Sequence, residues 1–305
     1  MNIKYYLITI ALLITSIAFF QHAQESSIPQ LFNANTTPHT SITVLLNAFK
    51  ISHNNTLESI VEGTQKEWLR KPGKERWQVD NIFSPQTHSL IMHECDKLGM
   101  LQEIKPQSKK YDYALVLGGT VERTRSRFAH LLHLINQGYS FNSILFLCGQ
   151  RPLDKTIESD EILLDFKNSA LPTNNNWKKP TTLPTTETEM TQMVIDQTLL
   201  SENVKEKIKV IDTPCKVGPG GSLIRPTTGD TFASWLSTSA QPGSVLVISS
   251  QPYVGYQDTV ARTFLPKEFT CETVGAAYEN DESDAVLLDT LARWIYQTKQ
   301  LVLKA

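Results

Sequence analysis

Histidine runs out early in this 305-residue chain, with all seven at or before His133. A Ser-His-Asp hydrolase would need His130 or His133 as its base, and no GxSxG elbow accompanies them. The phosphate-loop signatures GxGxxG and GK[ST] are missing as well. The four cysteines, Cys95, Cys148, Cys215 and Cys271, make no CxxC pair and no zinc-type spacing. His130 with His133, and His88 with His93 and Cys95, read as a polar helix face and a loop rather than ligand sets, so no metal is expected. Charge of one sign is also lacking. Lys and Arg total 29 against 31 Asp and Glu, a net charge of −2, which leaves no basic field to attract a nucleic acid polymer.

What is present begins with the N-terminus. Lys4 precedes an apolar run over residues 7–20, short of the roughly 20 residues that a membrane span needs. A basic start and a short apolar core match a secretory signal cleaved after Ala23. Gln21 departs from the small-residue preference before that cleavage point, so residues 1–23 are either a signal peptide or a retained anchor. The mature protein is expected to be exported, either periplasmic or held on the inner membrane facing the periplasm. A disulfide is possible there, but a core of this size does not need one. Cys148 and Cys271 fall inside apolar strands and read as small buried residues.

Residues 41–110 carry apolar positions at helical spacing and predict a small helical N-terminal region. Residues 111–305 then alternate in period. Short apolar runs at 113–117, 143–148, 209–212, 245–249 and 270–274 predict strands. Helical spacing follows over 123–137, 188–200, 228–239, the stretch after Tyr253, and 281–303. Thr186 with Glu189 forms a capping box before the second of these. Strands alternating with helices predict an α/β fold, a doubly wound and mainly parallel sheet of about five strands. Residues 152–184, rich in acids, asparagine and proline, interrupt the alternation and read as a lid-like insertion over the crevice.

In such sheets ligands bind beyond the carboxyl ends of the strands. Gly118, Gly119 and Thr120 end the first strand, and Gly149 the second. Arg123, Arg125 and Arg127 open the following helix, where cations oppose the helix dipole. A bound anion would relieve that conflict, as would pairing with Glu122 or other crevice acids. Ser249, Ser250, Gln251 and Tyr253 form a polar edge after the fourth strand. Glu189, Asp230 and Asp258 are the candidate crevice carboxylates, each near a helix start. Thr227, Thr228 and Thr231 read as caps or ligand donors.

The ordered series ALVLGG at 114–119, Arg127, Ala129, Gly138, Cys148-Gly149, Thr188-Glu189 with Met193, RPTTGDT at 225–231 and VLVISSQPYVGYQ at 245–257 resembles the YdcF/SanA/ElyC-like family. The family's histidine after the fourth strand is absent here, and Tyr253 stands near its place. The resemblance covers about residues 110–304 and implies a Rossmann-like, envelope-associated protein of largely unassigned function. It points to Glu189 and Asp230 as catalytic or anchoring carboxylates. Gly118, Gly119, Thr120, Arg123, Arg127, Gly149, Thr228, Ser249, Ser250, Gln251 and Tyr253 are the expected ligand-binding residues. The expected partner is a small anionic ligand, phosphorylated or nucleotide-like, acted on by a transferase or hydrolase. A non-catalytic periplasmic binding or scaffolding protein is the alternative. No cofactor is specified.

Overall fold

The computed structural model describes residues 28–71, 73–79, 83–279 and 283–304. Residues 1–23, expected as signal or anchor, lie outside the described residues, as do residues 281 and 282 at the expected start of the last helix. Among the described residues, no helix is long and apolar enough to cross a membrane.

The sheet is α/β and Rossmann-like. It has five strands, all parallel, in the order β3-β2-β1-β6-β7: β1 Lys110–Leu117, β2 Ser140–Gly149, β3 Ile208–Thr213, β6 Ser244–Ser250 and β7 Thr270–Ala276. A two-stranded antiparallel hairpin, β4 Lys216–Val217 and β5 Leu223–Ile224, stands apart from it. The central strands bury both faces. Ala114 and Val116 of β1 join one apolar cluster, while Leu115 and Leu117 join the other. That is why these strands read as continuous apolar runs rather than alternating ones.

Helices cover both faces. On the first lie α4 Val121–Asn136 and α6 Glu187–Gln197, through Phe128, Leu131, Met190 and Val194. On the second lie α8 Thr228–Leu236 and α9 Val254–Phe264, through Phe232, Trp235, Val260 and Ala261. The chain changes faces between β1 and β6, so the loops after those two strands diverge and open a crevice. Gly138 at φ 85° ends α4. Its N–H donates to the Ile135 carbonyl at 2.9 Å and that of Tyr139 to Leu134 at 3.1 Å, a Schellman arrangement.

The N-terminal region forms α1 Thr40–Ala48, α2 Leu57–Glu67 and α3 Pro85–Lys97. It shares one core with the closing helix α10 Asp284–Lys304, where Ile42, Leu45, Ile60 and Ile91 meet Leu287 and Leu291. A second tie runs to the sheet edge, where Gln251 Nε2 donates to the Gly99 and Gln102 carbonyls at 2.8 and 2.7 Å. Residues 152–184, expected as a lid, lie along the flank of α4 and α6. They contain α5 Asp160–Leu164, whose Ile162 and Leu163 carbonyls accept from Arg125 at 3.0 Å each. Gln197 Nε2 reaches Leu163 as well, and Thr173 bridges Thr198. That bridge sets Thr198 in extended backbone and ends α6 before the expected residue 200. A last short helix, α7 Glu202–Lys205, leads into β3.

All four cysteines are unpaired. Cys148 is fully buried, and burial pushes its thiol well above the usual range. Cys271 is only partly buried, because β7 is an edge strand with one open side.

Helix α9 approaches α10 at Gly255, where a Cβ would stand 2.3 Å from the Trp294 ring. Trp294 is itself fixed by its Nε1–H bond to Thr259 Oγ1 at 2.9 Å. Gly255→Ala is expected to destabilise the protein by about 1–3 kcal/mol through overpacking, read as a lower midpoint in urea denaturation.

Candidate functional site

The crevice is a cleft of about 740 Å³ at the carboxyl edge of the sheet. Its floor is the ends of β1 and β2. Gly118 lies against the Glu187 carboxylate so closely that a Cβ would meet Oε1 at 2.1 Å, and a Cβ on Gly149 would meet Pro226 at 2.4 Å. These two glycines are required by close approach rather than by a positive φ.

A buried ion triad joins the walls. Arg151 donates to both Glu158 oxygens, at 2.8 and 2.9 Å, to Glu187 Oε2 at 3.0 Å and to the Gly119 carbonyl at 3.0 Å. Glu158 is fully buried, and its Oε1 also accepts from the Val121 N–H at 3.2 Å. The first N–H of α4 is thus met by a carboxylate of the chain itself, placed where the helix dipole favours it. Glu187 is the first residue of α6, and its Oε1 also accepts from Gly149 N at 3.4 Å. Burial raises its carboxyl above the ordinary glutamate range, with Arg151 opposing.

Three arginines at the start of α4 diverge. Arg125 turns outward to hold the insertion. Arg123 lies 5.6 Å from the centre of the Tyr253 ring, and Arg76 stacks on that ring at 4.2 Å. Arg127 turns into the cleft floor. It is 4% exposed and donates to the carbonyls of Leu117 (2.9 Å) and Gly118 and to Ser250 Oγ at 3.4 Å. Burial, with Arg123 and Arg76 nearby, lowers its guanidinium to about 9.

Seven arginines and four glutamates line the cleft. Arg225 pairs with Glu75 at 2.8 Å, and Arg70 and Arg293 share Asp289 at 3.0 and 2.9 Å. Arg127 has no carboxylate within ion-pair distance among the described residues.

Of the expected ligand-binding residues, Gly118, Gly119, Thr120, Arg123, Arg127, Gly149 and Thr228 line this cleft. Thr120 is also the N-cap of α4. Ser250 stands behind Arg127. Ser249, Gln251 and Tyr253 are buried and do not line it. Gln251 ties down the N-terminal region, and Tyr253 lies under Arg76.

The two expected carboxylates are elsewhere. Glu189 accepts from Thr185 and Thr186 N–H groups at 2.8 and 3.1 Å, closing a capping box, and those bonds hold its carboxyl low. Asp230 closes a second box with Thr227 and pairs with Lys216 at 2.5 Å. Lys216 and Thr227 hold its carboxyl low against burial. Asp258 pairs with Arg262 at 2.7 Å. The carboxylate against the strand ends is Glu187, two residues before the expected Glu189. Thr227, not Thr228, caps α8.

Among the described residues, no group of three or more His, Cys, Asp or Glu side chains could hold a metal ion. His88 bonds to Asp284 at 2.9 Å, and His130 is buried in α4 away from the cleft lining. Neither protein-family models nor curated proteins match the sequence. The fold and this cleft therefore define the molecule as a Rossmann-like α/β protein with an arginine-lined crevice at its topological switch point.

Arg151→Ala leaves Glu158 and Glu187 buried without their cation, at an expected cost of about 3–5 kcal/mol near neutral pH. Glu187 already binds its proton more tightly folded than unfolded, and Arg151 is the group that opposes this. Its loss raises the folded-state value further. The folded protein then holds more protons than the unfolded chain above the ordinary glutamate pKa, so stability falls as pH rises. Melting temperatures of variant and wild type are expected to converge below about pH 4.5 and to separate up to pH 8.

Proposed function

We propose that the protein binds a small anionic ligand, phosphorylated or nucleotide-like, in this cleft. Arg127 carries the reading. It is a buried guanidinium bonded, among the described residues, only to neutral acceptors, and burial and neighbouring cations disfavour its charge. A buried charge without a counter-charge is costly, and an anion entering the cleft offsets that cost through charge-assisted hydrogen bonds. Gly118 makes room for the Glu187 carboxylate and Gly119 lies against Arg127, so the end of β1 stands beside both groups.

Glu187 suits a chemical role in the same place. Its carboxyl sits at the floor with a raised proton affinity, a property of general acids and bases. It would exchange the proton in transfer or hydrolysis of a phosphoryl group. The non-catalytic alternative draws on the hold that Arg151 keeps on Glu187 and on the two other acids committed to helix caps.

On the motif series we further assign the chain to the YdcF/SanA/ElyC-like type, exported and envelope-associated. The mature protein is then expected to begin at Gln24, or to retain the apolar segment as an anchor. N-terminal sequencing of the purified protein distinguishes these, and a chain that is made and kept in the cytoplasm contradicts the assignment.

Ligand binding is checked by thermal melting with inorganic phosphate, adenosine 5′-monophosphate and glucose 1-phosphate. At a hundredfold excess over Kd, linkage gives about 2.7 kcal/mol, an upward shift of about 4 °C for a chain of this length. Arg127→Met is expected to abolish the shift. If wild type responds to none of the three, the anion cleft is refuted. Turnover that Glu187→Gln removes would exclude the non-catalytic alternative.

A further inference from the structure

Buried polar atoms without partners are few in folded proteins, and each one asks for an explanation. Of the described residues that carry one, Gln257 alone also walls the cleft. Gln257 lies in the first turns of α9, is 6% exposed, and its Oε1 has no hydrogen-bond partner among the described residues. Thr231 Oγ1, in the same cleft lining, donates to the Thr228 carbonyl at 2.9 Å; Asp258 Oδ2 accepts from Arg262, and Asp258 Oδ1 is likewise buried and unpaired among the described residues. A leucine or methionine would fill the same space without leaving a polar atom dry. A buried amide oxygen without a partner costs stability, and binding groups are where such costs collect.

The size of the cleft narrows what would pair with it. A volume of about 740 Å³ is within the range of small-molecule sites, and a bare phosphate would leave most of it to water. The arginine side takes the anion. The Gln257 side must meet a group that pairs with an amide, and a hydroxyl does so in either amide orientation because it both donates and accepts.

We infer that the ligand is a phosphate ester bearing a free hydroxyl, and that Gln257 reads that hydroxyl. This rests on the anion-binding reading of the cleft. Gln257 is then a specificity residue: it separates an ester from inorganic phosphate and leaves the anion contact to Arg127. The shared chemistry covers sugar phosphates and nucleotides, which carry hydroxyls on different frames. A site built to bond a hydroxyl rejects analogues that lack it more strongly than an apolar pocket does.

The test is calorimetric titration of the full chain, wild type and Gln257→Met, with inorganic phosphate, glucose 1-phosphate and adenosine 5′-monophosphate. Wild type is expected to bind one of the two esters at least about tenfold more tightly than inorganic phosphate, and which ester does so identifies the frame. Gln257→Met is expected to lose about tenfold for that ester, the effect of one hydrogen bond, with phosphate affinity unchanged. Its melting temperature without ligand is expected to hold or rise, since an unpaired polar group has been removed. The inference is overturned if phosphate and both esters bind wild type equally. It is also overturned if Gln257→Met weakens phosphate as much as ester, or if its unliganded melting temperature falls with affinity intact. If neither phosphate nor ester binds wild type, the anion cleft fails, and this inference falls with it.

Discussion

The carboxyl edge of the sheet depends on one guanidinium. Arg151 stands two residues past the end of β2, yet it holds the end of β1 through Gly119, the insertion through Glu158 and the start of α6 through Glu187. Burying an ion pair gives back little net stability, so the value of this triad is positional. It fixes the end of β1 to the insertion and to α6, which are themselves joined by a short bridge between Pro152 and Thr186. Its excess negative charge is offset at the N-terminus of α4, where Val121 donates to Glu158. The helix end that a phosphate loop would offer to its ligand is here filled from within.

On the proposed anion binding, that filling leaves recognition to side chains rather than to main-chain amides. Arg225, Arg70 and Arg293 are balanced by Glu75 and Asp289, whereas Arg127, reaching from α4 to the end of β1, has no carboxylate within ion-pair distance among the described residues. Its three donations to neutral oxygens orient the guanidinium without neutralising it. A carboxylate with raised proton affinity stands on the same floor. Paired groups whose environments pull their protonation in opposite directions are the usual basis of acid–base work.

The architecture was legible because it depends on local chemistry. Continuous apolar runs marked strands buried on both faces, and glycines marked their ends. The Thr186 and Glu189 pair marked the start of α6. The same rule, applied to Thr227 and Asp230, would have shown that this acid too is spent on main-chain N–H groups. Glu187 escaped because only its distance from Gly118 and Arg151 distinguishes it, and that distance exists only once β1, β2 and α6 are assembled. Glu158 sat within an irregular segment where no period predicts direction. Gln257 entered only as the last residue of the 245–257 motif, because its burial and its unpaired oxygen exist only in the folded chain.

The insertion is where length and mechanical role part company. By composition residues 152–184 resemble a surface loop, the kind that tolerates deletion and exchange. Yet Glu158 caps α4, Arg125 grips α5 from the body of α4, and Thr173 fixes the end of α6. The segment works as a splint set across two helices. A shortened chain would lose more than a loop: it would release the helix on which Arg127 is mounted. Variation in sequence here is therefore constrained at its anchor points and free only between them, so grafting a foreign loop would succeed only if those anchors were carried along.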